Sequence, residues 1–155
     1  MQGDARVIEV LNGVLTGELT AVNQYFVHAK MCANWGYQRI AEHVRKESID
    51  EMKHADELIE RILFLEGVPN VQRLGKVKAG ETVPEQFRLD LALERDAVAL
   101  LNKTIALAVD LGDNTTRELL ARILASEEDH VDWLETQLGL IDKLGEKTYL
   151  AEQLH

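Results

Sequence analysis

The chain has 155 residues and a formal net charge of −10, with a single cysteine, two prolines and few aromatic residues. One cysteine excludes an internal disulfide framework and a cysteine-based zinc or iron–sulfur site, and the acidity disfavours binding of nucleic-acid phosphates. Abundant leucine, alanine, glutamate and lysine favour long helices, so we expect an all-α protein that forms a single domain over residues 1–155.

The amino-terminal residues lack the basic and then apolar pattern of a secretory signal, and no apolar run is long enough to span a membrane. We therefore expect a soluble cytoplasmic protein with no membrane and no nucleic-acid partner. Cys32, the single thiol, is expected to be buried, in agreement with a reducing compartment.

Apolar residues recur at helical spacing in four long segments. The first covers residues 4–34 and the second extends to about residue 66, with a turn at Trp35 and Gly36 between them. Residues 67–82 lack a helical period and form a long connection. Because this connection can span a helix length, helices two and three need not be antiparallel neighbours.

Capping signals place the remaining helices. A capping box at residues 82–85, with proline in the first turn, predicts the start of helix three, which ends near Gly112. A second capping box at residues 115–118 predicts the start of helix four, and Gly145 stops it. Residues 146–154 are expected to form a short fifth helix. The prediction is a four-helix bundle with a long crossover between helices two and three and a short C-terminal fifth helix.

Six residues that could bind metal share one spacing. Three lie in the first half of the chain, and each has a counterpart of the same type 76 positions later: Glu18 with Glu94, Glu51 with Glu127, and His54 with His130. A Glu and a His three residues apart project from one face of a helix, and the other two acids interrupt apolar stripes. In a hairpin that turns near Trp35, Glu18 and Glu51 lie level with each other.

Four carboxylates inside a bundle repel each other and lose hydration, at a cost of several kcal/mol per uncompensated ion. Two divalent cations bridged by Glu51 and Glu127 would balance the charge. Mixed carboxylate and imidazole ligation suits iron or manganese, and it is the known pattern of di-metal carboxylate bundles. The alternative, ordinary salt bridges with core histidines, requires the shared spacing to be accidental.

Tyr25 lies on the inner stripe of helix one. It could donate a hydrogen bond to a ligand carboxylate, act as a one-electron donor, or simply pack in the core. Glu47, one turn before the first Glu-x-x-His sequence, could guide an ion inward, but a solvated surface acid is the more common outcome. His28, His43 and His155 have no Glu at the same spacing and are expected at the surface or at an interface.

Helices one and two carry a second apolar stripe on the face away from the expected metal site: Leu19, Phe26, Ile49, Met52, Ile59 and Leu63. A four-helix bundle needs only one stripe per helix, so two imply a partner subunit across a two-fold axis. Met52 on that axis is either a gap-filling interface residue or a haem ligand shared with its symmetry mate.

The chain closely resembles bacterioferritin over essentially its whole length, in residues 23–26, 47–56, 62–67 and 132–135. The resemblance implies a hollow homo-oligomeric shell of 24 subunits that oxidises Fe(II) with dioxygen or peroxide and stores the ferric product as mineral. It implies that the six spaced residues bind a di-iron centre and that Met52 binds haem b. The resemblance is also compatible with a ferredoxin-type protein as electron donor.

Two positions depart from the pattern of some members. Lys46 stands where they have a histidine that binds iron on the inner surface together with Asp50, and Arg45 replaces an aromatic residue near the haem. Two other functions could use the same bundle. A di-iron or di-manganese peroxidase or catalase is one, although no cysteine-rich electron-transfer module is present. A DNA-protecting shell protein is the other, although it would need ligands from two subunits and usually a basic tail.

Overall fold

The computed structural model describes residues 1–155, and all of its regular secondary structure is helical. Four are long and one is short: α1 Ala5–Trp35, α2 Gln38–Phe64, α3 Val83–Asp110, α4 Asn114–Leu144 and α5 Glu146–Ala151. The predicted all-α, ferritin-like helical bundle with a short fifth helix is confirmed. None of the five helices combines the length and the apolar composition needed to cross a membrane.

The long connection carries the chain from one end of α1 to the other. Near the start of α1 the Gly3 amide donates to the Leu65 carbonyl at the end of α2, and near its other end the Gly80 amide contacts His28. α3 therefore begins where α2 began and runs in the same direction as α2. The predicted crossover is confirmed, and it places α1 against α3 as well as against α2.

Two apolar clusters fill the bundle. One contains Leu11, Leu15, Leu58, Ile62 and Leu120, and the other contains Tyr25, Ile40, Val44, Phe87 and Leu134. Along every long helix the two clusters are separated by the positions predicted to bind metal. The clusters fix the four helices against one another and exclude water, so the polar residues between them lie in a dry interior.

The turn after α1 forms as predicted. Gly36 has a φ of 93°, and its amide donates to the Ala33 carbonyl while the Tyr37 amide donates to the Cys32 carbonyl. This left-handed cap suits glycine because glycine has no Cβ to clash. Cys32 is buried, as predicted, and burial raises the pKa of its thiol to about 12.

One of the two predicted capping boxes is wrong. Thr82 caps α3 and accepts from the Glu85 amide, as expected. α4 is capped by Asp113, not by Thr115, because the Asp113 carboxylate accepts from both the amide and the hydroxyl of Thr116. Asp113 also accepts from Arg61 of α2, so this cap ties α4 to the neighbouring helix.

A row of polar residues on α1 binds the crossover connection. The row, which we call the polar ladder, repeats every four residues: Asn12, Thr16, Thr20, Gln24 and His28. Residues four apart are neighbours on the helix surface, so the ladder forms a continuous row that winds gradually around α1. Its bonds to backbone groups of the connection are 2.8 to 3.1 Å long: Asn12 binds Val68 and Asn70, Thr20 binds Gly75, Gln24 binds Lys78, and His28 binds Gly80.

The surface position predicted for His28 is wrong, because His28 is only 1% exposed. Its Nε2 accepts from the Gly80 amide, so the proton lies on Nδ1, which donates to Asp90 Oδ1 over 2.9 Å. Gln24 donates to the same carboxylate oxygen over 2.9 Å. This network joins α1, α3 and the connection, and no single segment contains all of its partners.

We expect replacement of Thr20 by valine to loosen the connection. The Thr20 hydroxyl accepts from the Gly75 amide over 2.9 Å and donates to the Thr16 carbonyl. Valine has nearly the same shape, so the main effect is one unpaired donor, which costs about 1–2 kcal/mol. Hydrogen exchange of residues 68–80 should become about 5- to 30-fold faster.

The matched control is Thr136→Val on the exposed surface of α4. It should leave exchange in the connection unchanged. Equal protection of residues 68–80 in wild type and Thr20→Val would contradict the role of the ladder.

Candidate metal centre

The six residues predicted to bind metal come together between the two apolar clusters. Their candidate ligand atoms form two groups, and within each group all atoms lie within 4.8 Å of one another. The groups are Glu18, Glu51, His54 and Glu127, and Glu51, Glu94, Glu127 and His130. Glu51 and Glu127 belong to both groups, so each is placed to bridge two cations.

The two histidines approach the bridging acids crosswise. His54 Nδ1 lies 3.0 Å from Glu127 Oε1, and His130 Nδ1 lies 3.0 Å from Glu51 Oε1. His54 is also 3.5 Å from Glu18, and His130 is 3.3 Å from Glu94. Each helical hairpin therefore completes the site of the other, and both hairpins must be in place for either cation position to exist.

Five buried side-chain atoms in this cluster make no hydrogen bond of acceptable geometry: Glu18 Oε2, Glu51 Oε1, His54 Nδ1, Glu94 Oε2 and Glu127 Oε1. The two 3.0 Å contacts between a histidine and a bridging acid are ion-pair contacts whose angles do not satisfy a hydrogen bond. Buried polar atoms are normally paired, so an unpaired set that converges on one point indicates a missing ligand. Oxygen and imidazole donors without thiolate fit divalent iron or manganese. The residues present thus fit a pair of divalent cations.

Tyr25 closes one side of the cluster. It is completely buried, and its hydroxyl donates a hydrogen bond to Glu94 Oε1. Burial, together with the negative charges of Glu94 and Asp90, raises the pKa of the phenol well above its usual value. Of the alternatives for Tyr25, the hydrogen bond to a candidate ligand is the one observed, and the residue is part of the core as well.

Glu47 is not the solvated acid that was expected, because it is only 3% exposed. It is hydrogen-bonded to His43 Nε2 over 2.7 Å, and the His43 ring stacks on Trp133 with centroids 3.8 Å apart. Trp133 of α4 therefore covers this turn of α2. The sequence gives no sign of that contact, since the two residues are far apart in the chain.

An open pocket between α2 and α4 leads to the centre. Its lining is mostly polar and includes Glu47, Asp50, Asp129 and His130, with Lys46 among the other residues. Asp50 Oδ2 lies 3.6 Å from His130 Nε2, so the acidic lining reaches the candidate ligands.

Comparison with known proteins agrees with this geometry. The ferritin-like domain family matches residues 8–144. Bacterioferritin BfrA of Mycobacterium tuberculosis is 52% identical over 152 residues, which cover 98% of this chain and 96% of the relative. The bacterioferritin of Streptomyces coelicolor is 50% identical over 151 residues, covering 97% and 90%, and that of Brucella melitensis is 46% identical over 149 residues, covering 96% and 92%.

The chain belongs to the bacterioferritin family. As a bacterioferritin it is an iron-storage protein, and the carboxylate and histidine groups described above are able to hold metal.

The residues that the bacterioferritin resemblance singled out beyond the centre lie on the surface. Met52 is 50% exposed and shares its face with the exposed side chains of Phe26, Ile49 and Leu63. Arg45 and Lys46 are exposed as well. His155, expected at the surface or at an interface from its lack of a spaced Glu, is also exposed. Four of the six residues of the second apolar stripe are therefore uncovered, as predicted. The other two, Leu19 and Ile59, are half-buried and pack against the bundle core.

Without metal, the bacterioferritin centre compensates its charge with protons. Burial lowers the pKa of His54, but contacts with Glu127 and Glu51 outweigh it and raise the pKa to about 9. Contacts with Glu127, Glu51 and Glu94 likewise outweigh burial at His130 and raise its pKa far above 6.5. Burial and the neighbouring Glu127 raise the pKa of Glu94 well above its usual value. These raised pKa values favour protonation of the same groups that are placed to bind cations.

We expect the metal-free protein to lose stability as the pH rises. The pKa of His54 is about 9 in the folded chain against 6.5 for a free histidine. Its stabilising charge is therefore fully present below pH 6.5 and is lost as the pH passes 9, a contribution of about 3 kcal/mol. Thermal unfolding in chelator should show wild type more stable than His54→Gln at pH 6.5, with the difference shrinking towards pH 10.

His155→Gln, at an exposed position, is the control and should follow wild type at every pH. A difference between wild type and His54→Gln that stays constant from pH 6.5 to 10 would contradict the assigned protonation of His54.

Proposed function

We propose that this chain is a ferroxidase subunit that oxidises Fe(II) and stores the ferric product as mineral inside a hollow shell. Two ferrous ions are the substrates, and they bind to Glu18, Glu51, His54, Glu94, Glu127 and His130. The observation that carries the proposal is the pair of overlapping ligand groups that share Glu51 and Glu127, together with the unpaired buried atoms that converge there.

The electrons balance with either oxidant. Two Fe(II) ions lose one electron each, and dioxygen takes up two electrons and two protons to give hydrogen peroxide. Hydrogen peroxide takes up the same two electrons and two protons to give two water molecules. The bridging carboxylates Glu51 and Glu127 carry negative charge that suits both ferrous and ferric ions, so the ligand set does not have to change when iron is oxidised.

The site's own protons couple metal binding to pH. A ferrous ion at His54 or His130 takes the place of the proton on Nδ1, so binding releases protons. Tyr25 holds Glu94 through its hydroxyl hydrogen bond and thereby fixes the orientation of that ligand. Because a phenol is oxidisable, Tyr25 is also the proposed one-electron donor when the oxidant requires more electrons than the two ions supply.

The uncovered apolar face is the proposed contact with a second copy of the chain. Phe26, Ile49, Met52 and Leu63 are exposed together, and burying large apolar side chains is the main driving force of association. A two-fold dimer on this face would bring two Met52 side chains together, and their thioethers would hold haem b between the two subunits. Haem would supply one-electron redox chemistry at that interface. Twelve such dimers form the proposed shell of 24 subunits.

We expect replacement of a bridging ligand to abolish rapid iron oxidation. Glu127→Ala removes an oxygen donor from both cation positions. Its initial rate of Fe(II) oxidation should fall about 100-fold or more. Substitution of a residue that only supports a metal ligand already lowers metal affinity or activity about 10- to 100-fold, and Glu127 is itself a proposed ligand. Stopped-flow absorbance after aerobic mixing with two Fe(II) per subunit measures the rate.

Glu128→Ala is the control, because Glu128 is the adjacent acid on α4 and is exposed. Its rate should equal that of wild type. Both variants should assemble as wild type does in size-exclusion chromatography. Unchanged oxidation in Glu127→Ala would refute the ferroxidase assignment.

We expect Met52→Leu to remove haem without affecting iron oxidation. Leucine keeps the apolar volume of methionine but has no sulfur ligand, so the dimer face stays covered. The Soret absorbance per subunit after reconstitution with haem should drop to background, while the ferroxidase rate and the shell size stay the same. Haem retained with an unaltered spectrum would show that Met52 is not its ligand.

A further inference from the structure

A second approach to the metal centre lies between α1 and α3, and it differs in chemistry from the acidic pocket between α2 and α4. It is a cavity of about 100 Å³ whose lining residues, apart from the candidate ligands, Asp96 and Gly17, are apolar. The wall residues include Val14, Gly17 and Ala21 of α1 and Leu93, Ala97 and Leu100 of α3. At its inner end are the carboxylates of Glu18, Glu51, Glu94 and Glu127.

The cavity is lined by residues of the centre that have unpaired buried oxygens. Glu18 Oε2 and Glu94 Oε2 belong to lining residues, are buried, and have no hydrogen-bond partner. Glu18 is 3% exposed and Glu94 is 1% exposed, so these oxygens are reached only through the protein interior. Apart from the four candidate ligands, Asp96 is the one charged residue among those that line the cavity.

Gly17 is the one glycine among the residues that line this cavity. A Cβ atom added at Gly17 would meet no atom within 4 Å, and Gly17 does not have the positive φ that favours glycine. Neither packing nor backbone conformation therefore requires glycine here, and glycine within a helix destabilises it relative to alanine. A larger side chain at this position has room to extend into the cavity.

The two approaches favour different molecules. A ferrous ion that enters an apolar passage loses its hydration water without gaining other ligands, which is energetically costly. The pocket between α2 and α4 instead offers the carboxylate oxygens of Glu47, Asp50 and Asp129. Small apolar molecules have the opposite preference, because dry apolar cavities of about 150 Å³ in proteins bind xenon and benzene.

We propose that the cavity between α1 and α3 is the access route and transient binding site for dioxygen, and that Gly17 sets its width. The proposal rests on the proposed ferroxidase function, since it assigns a path to the oxidant of that reaction. It makes Gly17 a residue that controls the rate of the oxidant step and has no part in holding iron.

The test separates iron binding from the reaction with dioxygen. Wild type, Gly17→Ala and Gly17→Leu are loaded anaerobically with two Fe(II) per subunit and then mixed with dioxygen at several concentrations. The rate constant for reaction with dioxygen should fall about fivefold or more in Gly17→Leu and by less in Gly17→Ala, because a narrowed path lowers the association rate. The anaerobic rate and stoichiometry of Co(II) binding should stay the same.

Gly13→Leu is the matched control. Gly13 lies one turn earlier on α1, a Cβ there also meets no atom within 4 Å, and the residue does not line the cavity. Side chains on a helix lean towards its amino-terminal end, so a leucine at position 13 points away from the cavity. Its rate constant should match that of wild type.

Two results would overturn the proposal. Equal dioxygen rate constants in wild type and Gly17→Leu would show that the oxidant takes another path. Slower Co(II) binding in Gly17→Leu would show that the cavity admits cations. Failure of the ferroxidase function is recognised separately, because wild type itself would then not oxidise bound Fe(II).

A crystal pressurised with xenon gives a readout independent of activity. Xenon should occupy the cavity beside Ala21 and Ala97 in wild type and be absent from it in Gly17→Leu. A wild-type cavity without xenon would contradict its role as a binding site for an apolar gas.

Discussion

The interior of this bundle is organised by a deficit of positive charge. Glu18, Glu51, Glu94 and Glu127 are each at most 3% exposed, and two imidazoles are the cationic partners next to them. Apolar clusters on both sides exclude the water that would otherwise solvate the carboxylates. Compensation therefore comes from protons or from metal ions. The raised pKa values of His54 and Glu94 favour proton binding when no metal is bound, and the two overlapping ligand groups fit two divalent cations.

The polar ladder on α1 is connected to the candidate metal centre through α3 and through Tyr25 of α1. Gln24 and His28 hold Asp90, and Asp90 lies one helical turn before Glu94 on α3. Tyr25 follows Gln24 directly on α1 and donates its hydroxyl to Glu94. The crossover connection, through its bonds to the ladder, fixes the level of α3 against α1. The orientation of Glu94 thus depends on backbone contacts of a connection that contributes no ligand.

Sequence periodicity was sufficient for the parts of the structure that repeat locally. The stripes of apolar residues predicted the long helices, and the common spacing of 76 residues identified all six side chains that meet in the centre. It failed where burial depends on a distant partner. His28 is buried because Gly80 and Asp90 satisfy its two nitrogens, and Glu47 is buried beside His43 and Trp133. The identity of one residue on a helix does not show which distant residues will contact it in the folded chain. The α4 cap was misplaced because Asp113, just before the helix, competes with Thr115.

The internal repeat holds for the ligands and breaks down around them. Ala21 and Ala97 are related by the spacing of 76 and face each other across the α1–α3 cavity, but the counterpart of Gly17 is Leu93. The counterparts of Tyr25 and Glu47 are Leu101 and Ile123, which are buried apolar residues. Of the two candidate cation positions, only the one beside Glu94 has a tyrosine that donates a hydrogen bond to its terminal carboxylate. Only the histidine of that position, His130, lines the acidic pocket, where it lies near Asp50. Two ions bound by equivalent ligands would therefore experience different surroundings. The ion beside Glu94 and His130 would lie closer to an oxidisable side chain and to the polar pocket.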